Sequence, residues 1–127
     1  MPHIDEVRVL RKRALAFQRR ARESFNSGDY DLAAFLSEQA VQLYLKSILL
    51  EELGDYPRTH SISYLFSLIS KIQKYKDMGK FFEERKKIFR LMEDSYISSR
   101  YLPREFTKEE AEELLNAAEE VLKWRNT

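Results

Sequence analysis

Residues 26–69 read NSGDYDLAAFLSEQAVQLYLKSILLEELGDYPRTHSISYLFSLI, and this stretch decides the fold. After a turn at Gly28, apolar residues cover more than one face of a predicted helix over about residues 30–53. A helix that is apolar nearly all round lies at the centre of a fold. Gly54 and Pro57 are typical signals for the end of a helix. The sequence therefore predicts one long central helix, followed by a short break and a second amphipathic segment.

Four further helices are predicted around this central one. Apolar residues recur every three or four positions, which places them in one stripe on each helix. The predicted segments are about 7–25, 61–76, 80–99 and a last one that begins with the capping box Thr107–Glu110. The alternation typical of strands is absent, and the links are short. We therefore expect an all-α fold, a single-domain up-and-down bundle of about five helices over residues 1–127.

Composition excludes several classes of protein. The chain has 22 basic and 21 acidic residues, so its net charge of +1 gives it no strong attraction to nucleic acid as a whole. It has no cysteine, which excludes disulfides, thiol catalysis and a thiolate metal site. His3 and His60 lie too far apart in the sequence to suggest a metal site. No apolar run approaches the roughly 18 residues of a membrane span, and the charged N-terminus is not typical of a signal peptide. We expect a cytoplasmic protein without a bound metal.

Catalytic patterns are hard to find in this sequence. His60 is the one plausible base at neutral pH, and no nucleophile is visibly partnered with it. Three isolated glycines cannot form a loop that cradles phosphate. The glutamates occur mostly as consecutive pairs, which point about 100° apart on a helix and are typical of solvated faces rather than of acid–base pairs. The sequence alone therefore assigns no catalytic residue.

Five basic residues fall on one side of the first predicted helix. They are Arg8, Arg11, Lys12, Arg19 and Arg22. This basic strip has two interpretations. It is either a binding surface for phosphates or for an acidic partner, or it is an ordinary solvent-exposed face, and the second interpretation is the simpler one. Aromatic residues do not interleave the strip, which weakens the case for binding single-stranded nucleic acid.

A second cluster ends the fourth predicted helix. Tyr96 and Arg100 are one turn apart on the same face, and Tyr101 adds a second aromatic ring beside the guanidinium group. Such a cluster can stack on a base or hold a phosphate, although a cation at the end of a helix also compensates the helix dipole. His60 opens the third predicted helix, where it either contributes to a site or simply helps the helix to start.

Four short segments, in this order, resemble the HEPN domain (higher eukaryotes and prokaryotes nucleotide-binding) of the stand-alone archaeal or bacterial type. They are Gly28-Asp29-Tyr30, Gln39-Ala40 with Lys46, Arg58-Thr59-His60-Ser61-Ile62, and Tyr96-Ile97-Ser98-Ser99-Arg100-Tyr101 followed by Pro103. The resemblance covers about residues 5–125 and implies a bundle of about five helices.

The resemblance also implies a function. Relatives commonly form homodimers, and they are often encoded beside a minimal nucleotidyltransferase in a toxin–antitoxin-like pair. We therefore expect a non-catalytic protein that binds a nucleotide such as ATP, a partner nucleotidyltransferase, or both, with no required cofactor. Lys46 and Arg100 would hold phosphates, Tyr96 and Tyr101 would stack on a base, and His60 would lie beside them.

Many members of this family are metal-independent ribonucleases whose motif is an Arg followed, after four to six residues, by a His. The positions at that distance before His60 are Leu53, Gly54 and Asp55, and no His follows Arg100. The motif is therefore absent, which argues against an enzyme. A degenerate ribonuclease that uses Arg100 with an unusual base is the alternative.

Two smaller departures from the family pattern bear on the site. Gln42 stands where relatives often have Glu, and Leu102 separates Tyr101 from the Pro that usually follows directly. A third interpretation is a generic helical interaction module, since Gly28-Asp29-Tyr30 with Ala33 and Ala40 also resembles one helical hairpin of a tetratricopeptide repeat. An array of that kind needs about three repeats, and only one partial match is present.

Overall fold

The computed structural model describes residues 3–101 and 104–124, with the backbone but not the side chains of Ser99 and Arg100. These residues form six α-helices and one short 3-10 helix, and they contain no strand. The α-helices are α1 (Ile4–Asn26), α2 (Tyr30–Leu53), α3 (Ile62–Ile69), α4 (Asp77–Glu84), α5 (Lys86–Tyr101) and α6 (Lys108–Leu122). The prediction of an all-α bundle is confirmed.

Helix α2 is the centre of the bundle, as its apolar pattern predicts. It packs against α1, α3, α5 and α6, and side chains on several of its faces are fully buried. Gly54 ends it with φ +82°, a left-handed conformation that glycine adopts without the steric strain of a Cβ atom. Arg11 near the start of α1 contacts Glu51 near the end of α2, so the two helices are antiparallel neighbours.

The third and fourth predicted helices differ from the structure. The third ends early, at Ile69, and a 3-10 helix over Gln73–Tyr75 follows it. The hydroxyl groups of Ser67 and Ser70 each donate a hydrogen bond to the carbonyl three residues earlier. Such side-chain bonds compete with regular helical hydrogen bonds, which explains the early end.

The fourth predicted helix is two helices, α4 and α5, with a break at Arg85. The guanidinium group of Arg85 donates to the carbonyl of Phe81 at 3.2 Å and makes a two-pronged contact with Glu120 on α6 at 3.0 and 3.2 Å. This tertiary contact holds the junction against α6. A helix break caused by contacts with a distant segment is not visible in a local pattern.

An aromatic cluster joins α3, α4 and α5. Phe66 on α3 lies with its ring centroid 4.9 to 6.3 Å from those of Phe81, Phe82 and Phe89. Phe66 and Phe89 are essentially inaccessible to solvent. Burying rings of this size contributes a large share of the apolar stabilisation, and it fixes α3 and α5 against each other beside α2.

The last helix is positioned by contacts at its N-terminal end. Thr107 and Glu110 form the predicted capping box, with backbone-to-side-chain hydrogen bonds of 3.0 and 3.1 Å. Just before it, the backbone N–H of Phe106 donates to the carboxylate of Asp31, at the start of α2, at 2.6 Å. No described helix is long and apolar enough to cross a membrane.

Candidate functional site

The candidate site is built on a line of polar residues in the central helix. Glu38, Gln42 and Lys46 are spaced by four residues and therefore lie one above another on the same face of α2. The Glu38 carboxyl group is fully buried. It accepts hydrogen bonds from the side-chain amides of Gln39, at 2.7 Å, and of Gln42. These bonds satisfy a group whose burial would otherwise be costly.

Electrostatics at Glu38 favour its protonated form. Burial raises the pKa of Glu38 to about 7, although the hydrogen bonds from the two glutamines and the charge of Lys46 act in the opposite direction. Glu93, which faces this region from α5, adds a like charge that raises the pKa further. Burial lowers the pKa of Lys46, and the charge of Glu38 opposes that shift. The cluster therefore holds a carboxyl group that titrates near neutral pH.

The line of polar residues connects to the loop before α3. The amide of Gln42 also lies 3.4 Å from the backbone carbonyl of His60, a long hydrogen bond. At the start of α3, Glu93 accepts hydrogen bonds from the backbone N–H of Ser63, at 3.2 Å, and from its hydroxyl, at 2.5 Å. Helices α2 and α5 therefore fix the position of the His60 loop from two sides.

His60 and Tyr96, 36 residues apart, form a direct pair. The Tyr96 hydroxyl oxygen lies 3.0 Å from Nε2 of His60. Their rings are stacked, with centroids 4.2 Å apart and an interplanar angle of 26°. Tyr96 also stacks against Phe35 of α2, at 6.4 Å. His60 itself is exposed, so the pair presents an imidazole ring of fixed orientation at the surface.

The remaining predicted site residues are not all brought to this pair. Lys46 lies on α2, one turn beyond Gln42, with its amine 5.8 Å from the ring centroid of Tyr56. Tyr101 ends α5 and is 73% exposed. The side chain of Arg100, and all of Leu102 and Pro103, lie outside the described residues. The contact between Arg100 and Tyr96 stays a prediction.

The basic strip on α1 divides into two groups in the structure. Arg11 donates to Glu51 at 2.8 and 3.3 Å and to Ser47 at 3.2 Å, and Arg22 pairs with Glu119 of α6. These two arginines hold helices together. Among the described residues, Arg8 pairs only with its exposed neighbour Asp5. Lys12 and Arg19 are exposed and make no ion pair or hydrogen bond within the part of the chain that the structure describes.

The sequence did not single out Glu38, Ser63 and Glu93. The sequence does carry a signal for Glu38, because a carboxyl group in the middle of a helix predicted to be central is expected to be buried. The residues at four-residue spacing beyond it, Gln42 and Lys46, extend that signal along the same face. Ser63 and Glu93 carried no comparable signal, since their pairing depends on how α3 packs against α5. The described residues contain no group of His, Asp and Glu suited to a metal ion.

Comparison with known proteins agrees with this architecture. The chain is similar to the protein in the crystal structure of TT1696 from Thermus thermophilus, with 27% identity, a TM-score of 0.78 and 94% coverage of each chain. No curated protein matches the chain significantly. The model of the family described as the HEPN domain matches residues 7–127. That match spans nearly the whole chain, and the chain therefore belongs to the HEPN domain family.

Proposed function

We propose that this protein binds a nucleotide, without converting it, at the surface formed by His60, Tyr96 and Lys46. The observation that carries the proposal is the stacked pair of His60 and Tyr96. An exposed aromatic ring whose plane is already fixed is a platform on which a base can stack. Because Tyr96 holds the imidazole by both a ring contact and a hydrogen bond, little conformational entropy is lost when a base arrives.

Lys46 supports the phosphate end of the proposed ligand. It is the cation on the same face of α2 as Gln42, whose amide reaches the backbone of His60. The charge of Glu38 acts on the pKa of Lys46, but the pKa of Glu38 is itself about 7, which leaves that carboxyl group only partly charged at neutral pH. The positive charge of Lys46 is therefore available to a phosphate group.

A binding role fits this cluster better than catalysis. Glu38 has the pKa of an acid–base catalyst, but its side chain is inaccessible and cannot contact a substrate. The ribonuclease motif of the family is also absent from the sequence. We therefore propose no catalytic residue.

Calorimetric titration with ATP, adenosine and GTP tests the nucleotide proposal. We expect ATP to bind, and His60→Ala to weaken binding about tenfold through the loss of stacking. Lys46→Met should weaken the binding of ATP but leave the affinity for adenosine unchanged, because in this proposal only the phosphates contact the amine. Tyr64→Phe, at an exposed tyrosine on α3, is the matched control for Tyr96→Phe, and only the latter should reduce affinity.

Two outcomes count against the proposal. One is the absence of heat with every nucleotide tested on folded protein. The other is cleavage of RNA by the wild type that disappears in His60→Ala, which would make the protein a ribonuclease that departs from the family motif.

We further propose a homodimer and a partner nucleotidyltransferase, both supported by membership of the family. Light scattering on the purified chain tests the homodimer. The mass of a monomer at micromolar concentration would contradict it. Co-expression with the product of the neighbouring gene tests the second. Failure of the two proteins to co-purify, with and without ATP, would contradict it.

A further inference from the structure

A groove runs along the outer face of α1. Two adjoining cavities of about 510 and 470 Å³ form it, and both have Leu15 and Arg19 in their walls. Ile4 lies at one end and Arg22 toward the other. At 1.5 Å per residue, the distance along α1 from Ile4 to Arg22 is about 27 Å, or about five helical turns. We call this feature the α1 groove; its shape is long and open rather than enclosed.

The α1 groove contains apolar side chains that the fold leaves uncovered. Ile4 is 63% exposed and Leu15 is 52% exposed, whereas most Leu, Ile and Val side chains of the described residues are buried or half-buried. The two lie 11 positions apart, which is close to three full turns and places them in one line on the helix. Leu122 of α6 adds an apolar wall beside Leu15. Covering these side chains releases ordered water and is favourable.

The same groove concentrates positive charge. Six basic and three acidic residues line its two cavities, a net charge of +3, while the whole chain carries +1. Three of the six are Arg11, Arg22 and Arg8, which already pair with carboxylates. Lys12 and Arg19 have no such partner among the described residues, and they flank Leu15 at about one turn on either side.

We propose that the α1 groove docks an amphipathic helix of a partner protein that carries carboxylates beside its apolar stripe. A helix of about five turns fills the length of the groove. Apolar side chains three turns apart would cover Ile4 and Leu15, and carboxylates between them would pair with Lys12 and Arg19. This is the arrangement in which an amphipathic helix lies in a groove and charge selects the partner.

Two other occupants match the groove less well. A nucleic-acid backbone would neutralise the cations but leave Ile4 and Leu15 facing a polar strand. A second copy of this chain in a two-fold dimer would place the groove against itself, cation against cation. The proposal is independent of nucleotide binding, because the groove shares no residue with the pair of His60 and Tyr96.

A synthetic probe tests the groove directly on the full chain. The probe is a fluorescent helical peptide of about 18 residues, with leucines along one face over three turns and glutamates flanking them. Fluorescence anisotropy measures its affinity. The control peptide keeps the leucines but carries lysine in place of glutamate. We expect the acidic peptide to bind, the lysine peptide to bind at least tenfold more weakly, and added salt to reduce binding of the acidic one.

Variants locate the binding. Arg19→Glu should weaken the binding of the acidic peptide about tenfold, because it removes a positive charge from the groove. Leu15→Ser should weaken it about fivefold, because it removes an apolar contact. Leu32→Ser and Lys71→Glu are at exposed positions outside the groove, and they should leave the affinity for the acidic peptide unchanged. All four sites are exposed, so circular dichroism should show the same helix content in each variant.

Three results would overturn the proposal. The first is that the acidic peptide does not bind the protein, or that it binds Arg19→Glu and Leu15→Ser as tightly as it binds the wild type. A fluorescent single-stranded RNA binds more tightly than the acidic peptide and is lost in Arg19→Glu, which assigns the groove to nucleic acid. Light scattering shows a dimer that Leu15→Ser alone dissociates, which assigns the groove to a second copy.

Discussion

The side-chain amide of Gln42 donates a hydrogen bond to the carboxyl group of Glu38, one turn earlier on α2, and both side chains are buried. The amide of Gln39 donates to the same carboxyl group at 2.7 Å. Glu38 thus obtains two donors in a place where water cannot reach it. Even so, burial outweighs them and raises its pKa from 4.5 to about 7.

This shift predicts a stability that depends on pH. Because the folded state holds the proton of Glu38 more tightly than the unfolded state, the stabilising contribution is complete below about pH 4.5 and is lost as pH rises through about 7. Between pH 5 and pH 8 the free energy of unfolding should fall by about 2 to 3 kcal/mol from this group. Urea denaturation at a series of pH values measures it.

The variant Glu38→Gln removes the titrating group, so its free energy of unfolding should depend less on pH than that of the wild type over the same interval. Glu113→Gln, at an exposed position on α6, is the matched control and should retain the wild-type slope. Parallel curves for the wild type and Glu38→Gln would mean that Glu38 titrates normally in the folded protein.

Phe89 should be among the residues most sensitive to truncation. It is fully buried, and its ring lies 4.9 to 5.9 Å from those of Phe66, Phe81 and Phe82. Phe89→Ala leaves a cavity between α3, α4 and α5 and should cost about 3 to 5 kcal/mol in the free energy of unfolding. Ile97→Ala, on the same helix but 53% exposed, should cost less than about 1 kcal/mol. Similar losses for the two variants would show that the aromatic cluster is loosely packed.

Local signals in the sequence mark some helix ends, and contacts between distant segments set others. The bounds of α2 agree with the prediction because local signals, including Gly54 at its end, mark them. The fourth predicted helix is instead divided into α4 and α5, because Arg85 breaks it through contacts with Glu120 on α6. Glu120 is 35 residues away in the sequence, and no local pattern reports such a contact.

The candidate site also depends on contacts between distant segments. The sequence predicts His60 and Tyr96 each as site residues, but their stacking on each other depends on how α5 packs against the loop before α3. Glu38 is not among the predicted site residues, although a carboxyl group in the middle of a central helix carries its own signal of burial. Polar residues in the most apolar helix are therefore as informative as the apolar ones.

The capping box of α6 gives a prediction with a close control. Thr107 accepts a hydrogen bond from the backbone N–H of Glu110 at 3.1 Å. Thr107→Ala leaves that N–H without its partner and should lower the free energy of unfolding by about 1 kcal/mol. Thr107→Ser keeps the hydroxyl and should restore most of the loss. Thermal or urea denaturation measures both; an equal loss in the two variants would attribute it to the missing methyl group instead.

The pair of Arg11 and Glu51 tests whether part of the basic strip is structural. The guanidinium group contacts both carboxylate oxygens across α1 and α2, at 2.8 and 3.3 Å, and each side chain is about one-third exposed. The hydrogen bond from Arg11 is the main cause that lowers the pKa of Glu51. The contribution of the pair is therefore present above the ordinary pKa of a glutamate and is lost as pH falls through the lowered value.

A double-mutant cycle with Arg11→Met and Glu51→Gln isolates this interaction. We expect a coupling free energy of about 1 kcal/mol at pH 7, because the two-pronged geometry is favourable but solvent still reaches the pair. The coupling should shrink as pH falls through the lowered pKa of Glu51, and it should persist in moderate salt better than that of the exposed pair of Arg8 and Asp5. A coupling indistinguishable from zero at pH 7 would leave Arg11 available to a ligand, and it would return this arginine to the basic strip as a candidate for binding the acidic helix.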